Sequence, residues 1–185
     1  MRRPLHLVPA LCLLLAASAC TSLGVVSAWL NDQVAFTTPQ LQRQLDTRFP
    51  RTFDRLGGLV SVTLDNPRLT IPQGDRRLRL DFDLGIGGVA DDRPGRLALV
   101  SGLRYDPSTR GLHLDDPELL QFDLSGSNAL LKGGARGIVN SLLAEYARNE
   151  PVYRLDDDLL SKLPSGKRVG DVDVGDGRVV VHLAR

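Results

Sequence analysis

Acids alternate along Asp171-Val172-Asp173-Val174-Gly175-Asp176-Gly177. A calcium loop uses such a pattern to aim oxygens at a hard cation. Here the spacing fails. An EF-hand loop needs an acid at 175 and a glycine at 176, and the chain has Gly175 and Asp176. A hairpin turning through Gly175-Asp176-Gly177 accounts for the residues better. Asp156-Asp157-Asp158 also offers carboxylates, but directly before Leu159 and Leu160 it reads as a solvated turn carrying helix-start charges. His113 and His182 both fall in strand-like runs and are expected at a surface or edge, outside any catalytic role. Ser125-Gly126-Ser127 has hydroxyls but no local base, and reads as the cap before a helix. No G-x-S-x-G elbow, P-loop or zinc-like cluster is present. The expectation is a protein without catalysis, metal or cofactor.

Cys20 sits where chemistry is specified. Arg2 and Arg3 precede a short apolar run whose uninterrupted part is Ala10 to Ala19. A membrane-spanning helix needs about 20 such residues. The layout is that of a secretory signal. Its exit, Leu15-Ala16-Ala17-Ser18-Ala19-Cys20, resembles the lipobox of bacterial lipoproteins. The resemblance implies cleavage before Cys20, a diacylglycerol on its sulfur and a further acyl chain on the new N-terminus. The alternative is an ordinary signal cut near Ala19, which would leave Cys20 a free thiol in an oxidising compartment. Each buried methylene adds about 0.8 kcal/mol of membrane affinity, so several chains anchor durably. Thr21 stands where an Asp often marks inner-membrane retention. In a Gram-negative source that places the protein at the outer membrane, facing the periplasm.

Residues 1–19 are thus read as signal peptide, 20–32 as a lipidated tether and 33–185 as one domain. Hydrophobic content of 42% supports a real core. The 23 basic residues lose Arg2 and Arg3 against 22 acids, leaving a net charge near −1. No basic stripe tracks phosphates and aromatics are 5%, so nucleic acid is excluded as a partner. After cleavage only Cys20 remains, and no intramolecular disulfide can form.

The elements follow from periodicity. Val34 to Phe36 reads as a strand. Thr38 as N-cap and Pro39 at the first helical position open a helix with Leu41, Leu45 and Phe49 on one face, ended by Pro50. Val60, Val62 and Leu64, then Leu69 and Ile71, make a strand interrupted at Asn66-Pro67. Leu78, Leu80, Phe82, Leu84 and Ile86 alternate with Arg79, Asp81 and Asp83, giving a strand with one wet face. Residues 96–105 and 112–124 give two more, around a turn at Asp106–Gly111. Leu131, Ala135, Ile138, Leu142 and Tyr146 step at helical spacing. A short strand and a terminal hairpin follow. The class is α+β, an antiparallel sheet with two helices to cover one face.

The lipobox, Thr37-Thr38-Pro39-Gln40-Leu41 opening a helix, the long strands, Glu150-Pro151-Val152-Tyr153-Arg154-Leu155 after the second helix and the Gly175-Asp176-Gly177 hairpin together resemble the YceB-like lipoproteins, a family of unknown function. The resemblance implies the tubular lipid-binding (TULIP) type of fold, a strongly curved antiparallel sheet around a long helix with an apolar groove between them. On that basis a lipid or other apolar ligand is expected against Leu80, Phe82, Leu84, Leu99, Leu103, Ile138, Leu142 and Tyr146. The rival is an interaction lipoprotein, with a filled core, that docks an envelope protein complex.

Overall fold

The computed structural model describes residues 32–88, 93–125, 129–161, 163 and 165–185. The leader, Cys20 and most of the tether lie outside the described residues. Strand β1 (Gln33–Thr37) leads into helix α1 (Thr38–Asp46). Strands β2 (Arg51–Arg55), β3 (Val60–Thr70), β4 (Leu78–Gly88), β5 (Arg93–Asp106) and β6 (Gly111–Leu124) follow. Helix α2 (Ala129–Asn149), strand β7 (Tyr153–Arg154), helix α3 (Asp157–Ser161) and the hairpin β8 (Arg168–Gly175) and β9 (Arg178–Ala184) complete the order. The architecture is α+β, with two antiparallel sheets and three helices among the described residues.

The strands expected to share one sheet divide into two. Six form β2-β3-β4-β5-β6-β7, and the terminal hairpin recruits β1 into a separate β1-β9-β8 sheet. The hairpin turns at Asp176 and Gly177 (φ 49° and 71°), the left-handed pair that matches strand twist. Its turn also fixes the start of α1, because the Thr38 hydroxyl donates to the Gly177 carbonyl over 2.8 Å. The cap is consequently Thr37, one residue before the expected position, and Gln40 Oε1 accepts from its backbone N–H at 2.8 Å. The helix ends at Asp46, before Pro50. Strand β2, absent from the sequence reading, occupies Arg51–Arg55 and forms the sheet edge.

Alternation places the core. Leu78, Leu80, Phe82 and Leu84 of β4 are buried, as are Leu97, Leu99 and Leu103 of β5. On the opposite face Arg79 grips Asp81 through two nitrogens, at 2.9 and 2.7 Å. The interruption in β3 is a bulge between Asp65 and Arg68, with Asn66 at φ 50°. A bulge frees backbone groups that must find partners. One side chain of α1 supplies both: Gln42 Nε2 donates to the Pro67 carbonyl (2.6 Å) and Gln42 Oε1 accepts from the Leu69 N–H (2.7 Å). Replacing Gln42 with Ala strands both groups and is expected to cost about 1–3 kcal/mol in denaturant unfolding. An unchanged midpoint would show that the bulge does not depend on this amide.

His113 departs from its expected surface position. It is fully buried beneath α2, because its ring nitrogens bind the Thr109 hydroxyl (2.7 Å) and the Ala147 carbonyl (3.3 Å). His182 stays partly exposed beside Asp173, at 2.8 Å. Burial pushes the His113 pKa below the ordinary histidine value, opposed by the Ala147 bond. The unfolded chain then binds the extra proton first, below a pH of about 6.5. Stability from this group is complete above that pH and declines as pH falls toward the depressed folded value. Urea midpoints are expected to drop between pH 7 and 5, and less steeply in His113→Gln with His182 kept in both proteins. Parallel slopes would assign the acid sensitivity elsewhere.

Candidate functional site: an apolar space between helix and sheet

Helix α2 returns from the end of β6 and lies along that strand, and its C-terminal end is bolted there. The Ala147 carbonyl accepts from His113 Nδ1 and from Arg104 Nη2 (3.2 Å). Just beyond the helix, the Val152 N–H donates to the Leu112 carbonyl (2.8 Å) and β7 pairs with β6. On the other flank, the links to edge strand β2 run through side chains. Phe53 meets Tyr146 edge-on, with ring centroids 6.4 Å apart. Arg55 pairs with Glu145 at 2.7 Å and Arg51 with Glu150 at 3.6 Å.

Between these flanks lies an apolar cavity of about 50 Å³. Leu80 and Phe82 of β4, Leu99 of β5, and Leu142 and Tyr146 of α2 line it, so the structure brings together five of the eight residues singled out by sequence. Leu84 and Leu103 are buried in the core outside the lining, although their cross-strand partners Leu64 and Leu114 belong to it. Ile138 is half-buried against the core one position from Val139, which takes the lining place instead. Sequence reasoning missed Phe49 and Phe53, which enter through the end of α1 and through β2. It also missed Leu97 and Leu114, although Leu97 shares the alternation of Leu99. For Phe53 the signal was faint, since β2 is five residues with charges on both sides. Cys20, the proposed lipidation site, lies outside the described residues.

Tyr146 is the polar exception in the lining. Its hydroxyl oxygen is buried and has no hydrogen-bond partner among the described residues. Burial pushes its pKa up, against the opposing charges of Arg51 and Arg48 and the approach of the Arg51 guanidinium as a donor, which leaves the hydroxyl's own proton without an acceptor. The Arg51 guanidinium lies 5.5 Å from the centroid of Phe53 and 5.8 Å from that of Tyr146, a cation–π arrangement at the rim. Beyond it opens a cleft of about 380 Å³ lined by Arg48, Arg51, Glu150 and Arg154. Arg48 Nη1 also donates to the Pro151 carbonyl.

The remaining sequence candidates have structural roles. Asp157 pairs with Arg110 at 2.5 Å in the first turn of α3. Asp171 and Asp173 lie along β8. Ser125 follows β6, its N–H bound to the Pro94 carbonyl, while Gly126 and Ser127 lie outside the described residues. Among the described residues no three of His, Cys, Asp and Glu gather as metal ligands. No helix among them is long and apolar enough to cross a membrane.

Comparison with known families adds one finding. The DUF1439 model, described as a protein of unknown function, matches residues 36–178. The chain belongs to the DUF1439 family. No curated protein matches it. The matched span of this DUF1439 chain takes in the apolar cavity, the basic cleft and both ion pairs.

An unpartnered buried hydroxyl contributes desolvation cost without a bond. Tyr146→Phe is therefore expected to unfold at an equal or higher denaturant concentration, by up to about 1 kcal/mol. A clear loss of stability would mean that the hydroxyl has a partner in solution.

Proposed function

We propose that this chain is a membrane-anchored lipoprotein that binds a lipid or other apolar ligand non-covalently between α2 and the six-stranded sheet, without catalysis. In this reading Cys20 carries the anchor and the domain faces the periplasm from the outer membrane. The observation that supports it is the apolar space itself, held by backbone bonds on the β6 flank and by side chains on the β2 flank. The likeness to YceB-like and TULIP domains belongs to the same proposal. No strongly curled sheet is seen among the described residues, and the register shifts in β3 and between β5 and β6 are local bulges.

Volume sets a condition. Small-molecule pockets enclose roughly 300–1,000 Å³, and here the space is about 50 Å³. An acyl chain requires α2 to swing away from β2. The exposed ion pairs resist by about 0–1 kcal/mol each, and the ring contact by about 0.5–1.5 kcal/mol. Apolar surface opened in the swing is covered again by the ligand, at about 25 cal/mol per Å². The small volume equally favours the second reading, an interaction lipoprotein with a filled core that docks an envelope protein through its outer surface or a sheet edge.

Residues 21–185 expressed without the anchor in a periplasm, purified natively and extracted, are expected to yield a stoichiometric phospholipid or fatty acid by mass spectrometry. Leu142→Asp should lose it. Leu143→Trp, which fills the space without burying a charge, should lose it while keeping the native circular dichroism. A folded, empty wild-type protein that crosslinks to an envelope partner would favour docking.

A further inference from the structure

Resting on the lipid-binding reading, we propose that the ligand is an amphiphile with an anionic head, a carboxylate or a phosphate, held by Arg48, Arg51 and Arg154 with the Tyr146 hydroxyl donating to it. Tyr146 joins two environments. Its ring lines the apolar space, and its buried hydroxyl lacks an acceptor. The Arg51 guanidinium, which lines the basic cleft, lies 5.8 Å from the centroid of the Tyr146 ring, so the two spaces meet at this side chain. A head-group oxygen there would supply the missing acceptor. The acyl chain would extend past Tyr146, between Phe53 and Leu142.

Charge selects the head group. Three guanidinium groups face one carboxylate in this cleft. Arg43 lines the adjoining cleft, which shares Arg48. Among the described residues, neither Arg48 nor Arg154 forms an ion pair. A polar groove of about 440 Å³ on the wet face of the sheet provides the contrast. There Arg68, Arg79 and Arg96 stand beside Asp81 and Asp83, and Arg79 is already bound to Asp81. Cationic excess, an apolar space and an unsatisfied donor coincide at the Arg48 cleft. Guanidinium groups bind carboxylate and phosphate through charge-assisted, frequently bidentate bonds.

The test uses the full-length chain reconstituted in phosphatidylcholine vesicles. Dodecanoic acid, dodecyl phosphate and dodecanol probes, each with the same chain-end diazirine, are photolysed and the labelled residues identified by mass spectrometry. Labelling of the cavity residues is compared between wild type and variant for each probe separately, which cancels differences in membrane partitioning. Arg51→Gln/Arg154→Gln is expected to lower labelling by the acid or the phosphate about tenfold while leaving dodecanol unchanged. Tyr146→Phe, which keeps the ring, should lower it in the same selective way. A loss confined to the acid identifies a fatty-acid carboxylate, and one confined to the phosphate identifies a phospholipid or alkyl phosphate. Cavity labelling that is equally insensitive, or equally sensitive, for all three probes overturns the anionic subsite and leaves lipid binding standing. No cavity labelling by any probe overturns both.

Discussion

The Ala147 carbonyl is the point on which the arrangement turns. Two donors from the sheet, His113 Nδ1 and Arg104 Nη2, converge on it from beneath the last turn of α2. Helix carbonyls in that turn have no intrahelical partner, so they accept bonds from outside without breaking the helix. Arg104 is cationic, and a cation at a helix C-terminus is favourable in itself. The backbone bond from Val152 to Leu112 and the β6–β7 pairing follow within a few residues. One end and one flank of α2 are thereby fixed to the sheet. The flank toward β2 inherits whatever side chains can reach across.

That asymmetry sorts the interactions by strength. Along β6 the links are backbone hydrogen bonds and a buried histidine, shielded from water. Along β2 they are ion pairs whose side chains are 30–53% exposed, and an edge-on ring contact. Exposed pairs are screened by salt and add little. Among the described residues no further strand lies beyond this edge strand to add hydrogen bonds. If the fold opens locally, the β2 flank is where the smallest free energy opposes it. Because the other flank stays fixed, such an opening is a hinge motion that keeps the core of the sheet dry.

The sequence made the sheet faces legible because period-two alternation is strong in β4 and β5. Leu78 to Leu84 read as buried, with arginines and aspartates opposite, and they are so placed. Three features were hidden. Strand β2 is short and exposes charge on both sides, so no periodicity marks it. His113 reads as an edge residue because only the returning helix, far along the chain, buries it. The partition into two sheets depends on β1 pairing with β9, a contact between opposite ends of the domain that local patterns do not encode. The lining was legible in part for a related reason: alternation says which face a residue occupies, and only the path of α2 decides how much of that face it covers. Leu84 and Leu103 are on the right face, paired with lining residues, and still fill core outside the space.

Charge balance hides the basic cleft in the same way. The domain's total is near neutral, and the dense arginine run Arg76, Arg77 and Arg79 lies outside this cleft. Arg48 comes from the link between α1 and β2, Arg51 opens β2, and Arg154 arrives from β7, more than a hundred positions later. What assembles them is the chain leaving α2: Pro151 accepts from Arg48, and the Arg154 N–H bonds Gln44 Oε1 of α1 at 3.4 Å. These bonds tie the segment beyond α2 to α1 and its link, and they gather the guanidinium groups at the mouth of the apolar space. Tightening that end concentrates positive charge beside Tyr146. An anion bound there would offset the mutual repulsion of these groups. Binding a charged head and holding the helix end in place are then linked through the short segment Tyr146 to Arg154, which carries residues of both sets.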